Sequence, residues 1–308
     1  YFKDDELAVV GGDHELAQAF TRLPFDHLLF TGSTAVGRQV MKAAAENLTP
    51  VTLELGGKSP AIIAPGYPIA KVAARIMAGK CLNAGQTCIA PDYVLLPAGE
   101  EENFIAAARA VVASSYPDLE RNADYTAVVN LRHANRLRGY LDDAREKGAR
   151  LVPLADATPN EVGPQRLAPT LVLNTNAQMR IMQEEIFGPL LPILSYTHID
   201  EALSYVNAHD RPLALYLFDH DKARIDLVLD QTIAGGVTIN DTILHIAQDE
   251  LPFGGVGPSG MGHYHGREGF LTFSKQKSVF YQSKINGIGL FNPPYGKLFE
   301  RLIKVLLR

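Results

Sequence analysis

Apolar residues along this chain come in short runs, separated by segments whose apolar positions recur at helical spacing. "LAVV" (7–10) is such a run, stopped by Gly11-Gly12, and "HELAQAFTRL" behind it reads as a helix. "HLLF" (27–30) reads as a strand and "TAVGRQVMKAAAEN" (34–47) as a helix, with Val36, Val40 and Ala44 four residues apart. "VTLEL" (51–55) is a third strand, closed by Gly56-Gly57. Short apolar runs alternating with helices predict an α/β fold with a parallel sheet covered on both faces. A complete doubly wound dinucleotide-binding sheet has about six strands. Three are visible before residue 58, so the expectation is a partial sheet and an N-terminally incomplete chain.

From Lys58 a second α/β region runs to residue 258. Helices are expected over 69–84, 101–114 and 130–147, and strands at "APTLVLN" (168–174), "LLPILSY" (190–196), "ALYLF" (214–218) and "GGVTIN" (235–240). A strand is also expected at "SKQKSVFYQ" (274–282). Its alternation is mixed rather than cleanly apolar, a pattern that suits pairing across a subunit boundary. The tail "GKLFERLIKVLLR" places Leu298, Leu302 and Leu306 every fourth residue, with Lys297, Arg301, Lys304 and Arg308 elsewhere. Such a helix docks on a protein surface or, as the sharper alternative, touches a membrane. The organisation expected is 1–57, 58–258 and 259–308: the end of a dinucleotide-binding domain, a catalytic domain, and an oligomerisation strand with its tail.

Composition narrows the function classes. The 308 residues are 46% hydrophobic and 20% charged, with a net charge of −5, which leaves no basic stripe for nucleic-acid phosphates. Two cysteines, Cys81 and Cys88, make neither a disulfide framework nor a metal knuckle, and reduced thiols point to the cytoplasm. No metal site is expected. His263 and His265 lack a completing Cys or acid cluster and read as surface residues, and His245 with Asp249 and Glu250 reads as a solvated turn.

Three stretches carry candidate chemistry. In "FTGSTAVGR" a strand runs into Gly32, and Ser33 suits a helix N-cap, where free N–H groups favour an anion such as a pyrophosphate. A simple capped helix fits the spacing equally. Gly255, Gly257 and Gly260 spell G-x-G-x-x-G, but "DELP" precedes them and Pro258 interrupts them, so the match is a decoy in a tight loop. In "VTLELGGKSP", Glu54 lies at the carboxyl end of a strand, facing away from Val51, Leu53 and Leu55. It is a general base of raised pKa or a solvated strand-end acid. Cys88 follows a helix ended by "NAGQT", where Gly85 can turn the chain, and is a nucleophile or an inert buried thiol.

Together "FTGSTAVGR", "LELGGKSP", "GQTCIAP", "EEIFGP" and "LPFGGVGPSGMG", in this order, resemble the aldehyde dehydrogenase superfamily along essentially the whole chain. "PDYVLLP", "GVGPSGMGHYHGREGF" and "FNPPYGKLF" look most like its class 3 branch. "LPFDHLLFTGSTAVGR" and "NLTPVTLELGGKSPAI" are similar to coniferyl aldehyde dehydrogenases. The resemblance implies that Cys88 is the nucleophile and Glu54 the base for the hydrolytic water. It implies that Glu185 holds the nicotinamide ribose and that Phe187 packs near the nicotinamide. By the same resemblance Gly32 and Ser33 form the pyrophosphate turn, Leu55 lies beside the carboxamide, and Phe253 walls the aldehyde pocket. NAD or NADP is the implied cofactor, an aromatic aldehyde the substrate, and a homodimer the assembly. The family's oxyanion-stabilising asparagine has no counterpart in these residues, so an impaired catalyst is expected. Two alternatives stand beside this reading: a cysteine hydrolase or acyltransferase, and an inert binding or assembly module.

Overall fold

The computed structural model describes residues 1–308 except Asp4, Glu120, 156–162 and Arg308. The segment 7–10 forms no strand and lies exposed, because an apolar run needs a neighbouring strand to satisfy its backbone and finds none there. The first helix is α1 (His14–Phe20), capped by Asp13. It leads to β1 (Leu28–Thr31), α2 (Thr34–Ala45) and β2 (Val51–Glu54). β1 and β2 pair in parallel, with Thr31 opposite Glu54.

After β2 the chain crosses into a larger sheet. It forms β3 (Pro60–Ile63), α3 (Ile69–Cys81), β4 (Tyr93–Pro97), α4 (Glu101–Ser115), α5 (Leu131–Glu146), β5 (Arg150–Pro153) and β6 (Thr170–Leu173). There follow α6 (Arg180–Gln183), β7 (Leu190–Tyr196), α7 (Ile199–Asn207), β8 (Ala214–Phe218), α8 (Lys222–Gln231) and β9 (Gly236–Ile239). The seven strands run β5-β6-β7-β4-β3-β8-β9, parallel except for the β5–β6 pair. Successive residues face opposite layers. Ala61, Ile63, Val94, Leu96, Tyr216 and Phe218 join the core under α3 and α4. Ile62, Tyr93, Leu95, Leu215 and Leu217 meet Ala202, Leu203 and Val206 of α7 and Val228 of α8. Both faces of β3, β6 and β8 are therefore dry, as parallel strands covered by helices on both sides require.

The chain then returns to the first sheet. β10 (Gly260–Met261) pairs antiparallel with β2, and α9 (Gly266–Thr272) follows. The nominal G-x-G-x-x-G is a packed loop against β2: a Cβ on Gly260 would lie 2.3 Å from the Leu53 carbonyl oxygen. One compact unit spans Tyr1–Phe273, and within it β10 belongs with β2.

A second unit spans Ser274–Arg308. Residues 274–282 form no strand, since a mixed alternation with no partner strand leaves nothing to fix it. A 3-10 turn (Ile288–Phe291) precedes α10 (Lys297–Leu306), and the Tyr295 and Phe299 rings sit 4.5 Å apart. Arg308, counted with the basic residues of the tail, lies outside the described residues. Among the described residues no helix is long and apolar enough to cross a membrane.

Candidate active site

The nucleophile candidate sits on an unusual turn. α3 ends at Cys81, and Asn83, Ala84 and Gly85 then take left-handed angles, with φ of 49°, 52° and +73°. Two consecutive non-glycine residues in that region are strained and persist only where the surroundings hold them. Gln86 does the holding. Its amide donates to the carbonyls of Asn83 (3.0 Å) and Ala127 (3.1 Å), and its oxygen accepts from the Val129 N–H (2.8 Å). Asn83 donates in turn to the Gln86 carbonyl. The loop is thereby pinned, and Cys88 emerges half-buried against the core.

Glu54 approaches from the end of β2. It is 5% exposed, and neither carboxylate oxygen has a hydrogen-bond partner. Burial raises its pKa to about 8. The solvated strand-end acid is thus excluded: the face of β2 that carries Glu54 is covered, with Thr52 on the same face bonded to the His27 ring at 2.8 Å. The Cys88 thiol is pushed up to about 11, first by burial and then by the negative charges of Glu185 and Glu54. Thiol and carboxylates therefore share one electrostatic site.

Glu185 arrives on the loop between α6 and β7. Its carboxylate lies over the backbone of Gly56, where a Cβ would come within 2.2 Å of Oε1. Burial raises its pKa to about 7, with Asp92 adding to the rise and the Gly57 N–H opposing it. Phe187, two residues on, is 38% exposed at a φ of +46°. The Gly32 N–H donates to the Glu54 carbonyl (3.0 Å), so the turn before α2 borders the same strand end. Ser33 caps α2 by accepting from the Val36 N–H. The Leu55 N–H donates to Ser259, while its side chain packs on Gly37.

Phe253 is 4% exposed, with its ring between those of His245 (5.8 Å) and His265 (5.3 Å), each tilted 26°. Tyr264 meets Phe253 edge-on, and its phenol feels the charges of Glu54 and Cys88. Phe253 and Cys88 thus belong to one packed cluster. His245 is not in a solvated turn: it is 8% exposed, bonded to Thr238 Oγ1 at 2.8 Å, and burial lowers its pKa. His265 likewise turns inward, where the aromatic surface of Phe253 draws the ring off the solvent. Among the described residues no group of three or more His, Cys, Asp or Glu side chains is arranged to hold a metal.

Of the eight residues expected from sequence, Cys88, Glu54 and Glu185 share one electrostatic site, Gly32 bonds to the Glu54 carbonyl and Phe253 packs in the Cys88 cluster, while Ser33, Leu55 and Phe187 lie next to these along the chain. Gln86, Lys58, Asp92, Arg136 and Tyr264 were not anticipated, since polar residues in loops follow no period. Residues 4–279 match the sequence model of the aldehyde dehydrogenase family.

The chain belongs to the aldehyde dehydrogenase family.

A probable coniferyl aldehyde dehydrogenase of Pseudomonas aeruginosa is 58% identical over 302 residues, covering 98% of this chain and 63% of its own length. The coniferyl aldehyde dehydrogenase of Pseudomonas sp. strain HR199 is 48% identical, covering 100% of this chain and 64% of its own. The chain therefore spans less than two thirds of these relatives. Among solved structures, the substrate-bound Staphylococcus aureus AldH superposes with a TM-score of 0.90 at 40% identity, over 100% of this chain and 66% of that one. A Mycobacterium tuberculosis aldehyde dehydrogenase complexed with NAD+ gives 0.80 at 33%, over 90% and 57%. Membership in this family disfavours the cysteine-hydrolase and assembly-module readings.

Proposed function

We propose that this chain oxidises an aromatic aldehyde to the carboxylic acid with NAD as oxidant, through a covalent intermediate on Cys88. The observation that carries the reading is the Cys88–Glu54 pair: a half-buried thiol beside a buried carboxylate with two unpartnered oxygens. The thiol sulfur adds to the aldehyde carbon, and its proton leaves to a base. Glu54, with a pKa near 8, suits that role near neutrality. When bound, the nicotinamide supplies the acceptor for the hydride that leaves the thiohemiacetal carbon. What remains on Cys88 is a thioester. Glu54 returns that proton to solvent and then takes one from a water molecule as the water oxygen attacks the thioester, and sulfur leaves as the thiolate to release the acid.

The residues present fit the nicotinamide half of that cofactor. A carboxylate held over Gly56 offers two acceptors to a ribose diol, Phe187 offers an exposed ring face, and the turn at Gly32 and Ser33 opens a twelve-residue helix suited to a pyrophosphate. NAD rather than NADP is supported by the NAD+ complex of the M. tuberculosis relative. An aromatic, coniferyl-aldehyde-like substrate is supported by the ring cluster of Phe253, Tyr264, His245 and His265 and by the names of the Pseudomonas relatives. A homodimer paired through 274–282 is supported by the exposure of Val279, Phe280 and Tyr281 in that unpaired segment. A reducing compartment, the cytoplasm, suits a reaction that needs Cys88 as a free thiol.

The test is NADH formation from coniferyl aldehyde by the 308-residue chain and its Cys88→Ala and Glu54→Gln variants. Cys88→Ala is expected to form none. Glu54→Gln is expected to give one equivalent at most and then stop, because the thioester persists. Undiminished turnover in Cys88→Ala would sink the proposal.

A further inference from the structure

Four peptide groups around the Glu185–Phe187 loop are held by charged side chains from three separate segments. Lys58, just after β2, donates to the carbonyls of Ile181 (2.8 Å) and Glu184 (3.0 Å) and pairs with Asp92. Asp92, four residues beyond Cys88, accepts the Ile186 N–H at 2.9 Å with its other oxygen. Arg136 of α5 donates to the carbonyls of Glu185 (3.1 Å) and Ile186 (2.7 Å) and to the Tyr140 hydroxyl, which donates to Glu184. The Asp92 N–H itself donates to Ser59 at 2.8 Å.

We propose that Asp92, paired with Lys58, is a positioning residue: it fixes the backbone of Ile186 and so aims the flanking Glu185 carboxylate and Phe187 ring at the cofactor. This rests on the reading of Glu185 and Phe187 as cofactor contacts.

The loop has no helix or strand to hold it, and Phe187 carries a left-handed φ that a non-glycine residue adopts only under constraint. Ile186 points into the core, fully buried between Leu137, Tyr140 and Leu190, so the residues on either side turn outward. The hydrogen bond from its N–H to a carboxylate sets the rotation of that peptide. A side chain 96% buried, on the Asp92 carboxylate, is costly unless paired and fully bonded. Here both oxygens are used, one by Lys58 and one by Ile186. A pair that served stability alone would be replaceable by apolar residues of the same volume. What an apolar pair cannot do is accept the Ile186 N–H. Asp92 also places one anchor in the segment that carries Cys88, so the cofactor loop and the nucleophile are built from a common point.

The experiment compares Asp92→Ala, Asp92→Asn and Lys58→Met with the parent chain by three readouts: NAD dissociation constant, amide hydrogen exchange over 184–188, and the alkylation rate of Cys88 by iodoacetamide. Asp92→Ala is expected to speed exchange over 184–188 and to weaken NAD binding by about tenfold or more, the scale of a lost charge-assisted hydrogen bond. Cys88 alkylation is expected to stay within about twofold, because Gln86 still pins the loop before it. Asp92→Asn keeps an acceptor for Ile186 and is expected to restore most of the exchange protection. Parent-like exchange and parent-like NAD binding in Asp92→Ala would overturn the proposal, as would an Asp92→Asn variant disturbed as much as the alanine. If Asp92→Ala does not fold, the other two variants decide, Lys58→Met being expected to loosen Glu184 and Ile186 together. A parent chain that binds no NAD would instead overturn the cofactor reading, while exchange over 184–188 still tests the anchor.

Discussion

A Cβ on Gly85 would lie 2.3 Å from the carbonyl oxygen of Gly188. The turn that aims Cys88 and the loop that carries Glu185 and Phe187 therefore touch backbone to backbone. Gly85 also holds a φ of +73°, so the position excludes a side chain twice over. Gly85→Ala is expected to destabilise the chain by about 2–4 kcal/mol, since strain and a clash with immovable backbone add. A denaturant midpoint unchanged from the parent would show that the loops separate freely.

At Gly56 the prediction concerns cofactor alone. The Glu185 carboxylate occupies the space a Cβ would need, so Gly56→Ala displaces the carboxylate and leaves the Cys88 loop in place. NAD binding is expected to weaken by about tenfold, the loss of one good charge-assisted contact. Alkylation of Cys88 serves as the control and is expected not to move.

The pKa of Glu54 sets a pH dependence with a definite sign. An unfolded glutamate titrates near pH 4.3, roughly, and the folded one at about 8. Between those values the folded chain holds the extra proton. The stability linked to Glu54 is thus fully present below the lower value and lost as pH rises through the higher one. Glu54→Gln stays neutral throughout. Urea midpoints of parent and variant at pH 5, 7 and 9 are expected to diverge in favour of the variant as pH rises. A constant difference would contradict the buried, unpaired state of the carboxyl group.

Gln86 is expected to be a stability residue as well as a brace. Gln86→Ala leaves the Val129 N–H and the Ala127 carbonyl without their partner in a position that is 9% exposed. The cost is about 1–3 kcal/mol. Thermal unfolding measures it, and faster alkylation of Cys88 is expected alongside, as the left-handed turn loses its constraint.

Much of the site was readable in the sequence because its residues sit at element ends. Cys88 follows α3, Glu54 closes β2, and Gly32 and Ser33 separate β1 from α2, so periodicity marked them as candidates and the resemblance of their motifs to the aldehyde dehydrogenase superfamily implied their roles. In the large sheet β6, β7, β8 and β9 were legible as apolar runs, whereas β3, β4 and β5 were not singled out. Periodicity failed where a run lacked a neighbour, at 7–10 and 274–282, because a strand exists only with the partner that satisfies its backbone. It failed too at His245, where a polar type in a loop suggested solvent and the fold supplied an aromatic wall.

The sequence by itself determined the alternation of strands and helices, the two candidate reacting groups and the family to which they belong. Only the tertiary structure decided that Glu54 is buried without a partner, that Glu185 lies over Gly56, and that Asp92 ties the Cys88 segment to the loop that carries Glu185. The reason is physical. Periodicity is written by each element's own face toward the core, whereas a pKa, a close approach or a loop anchor depends on which distant segments the fold brings within a few ångströms.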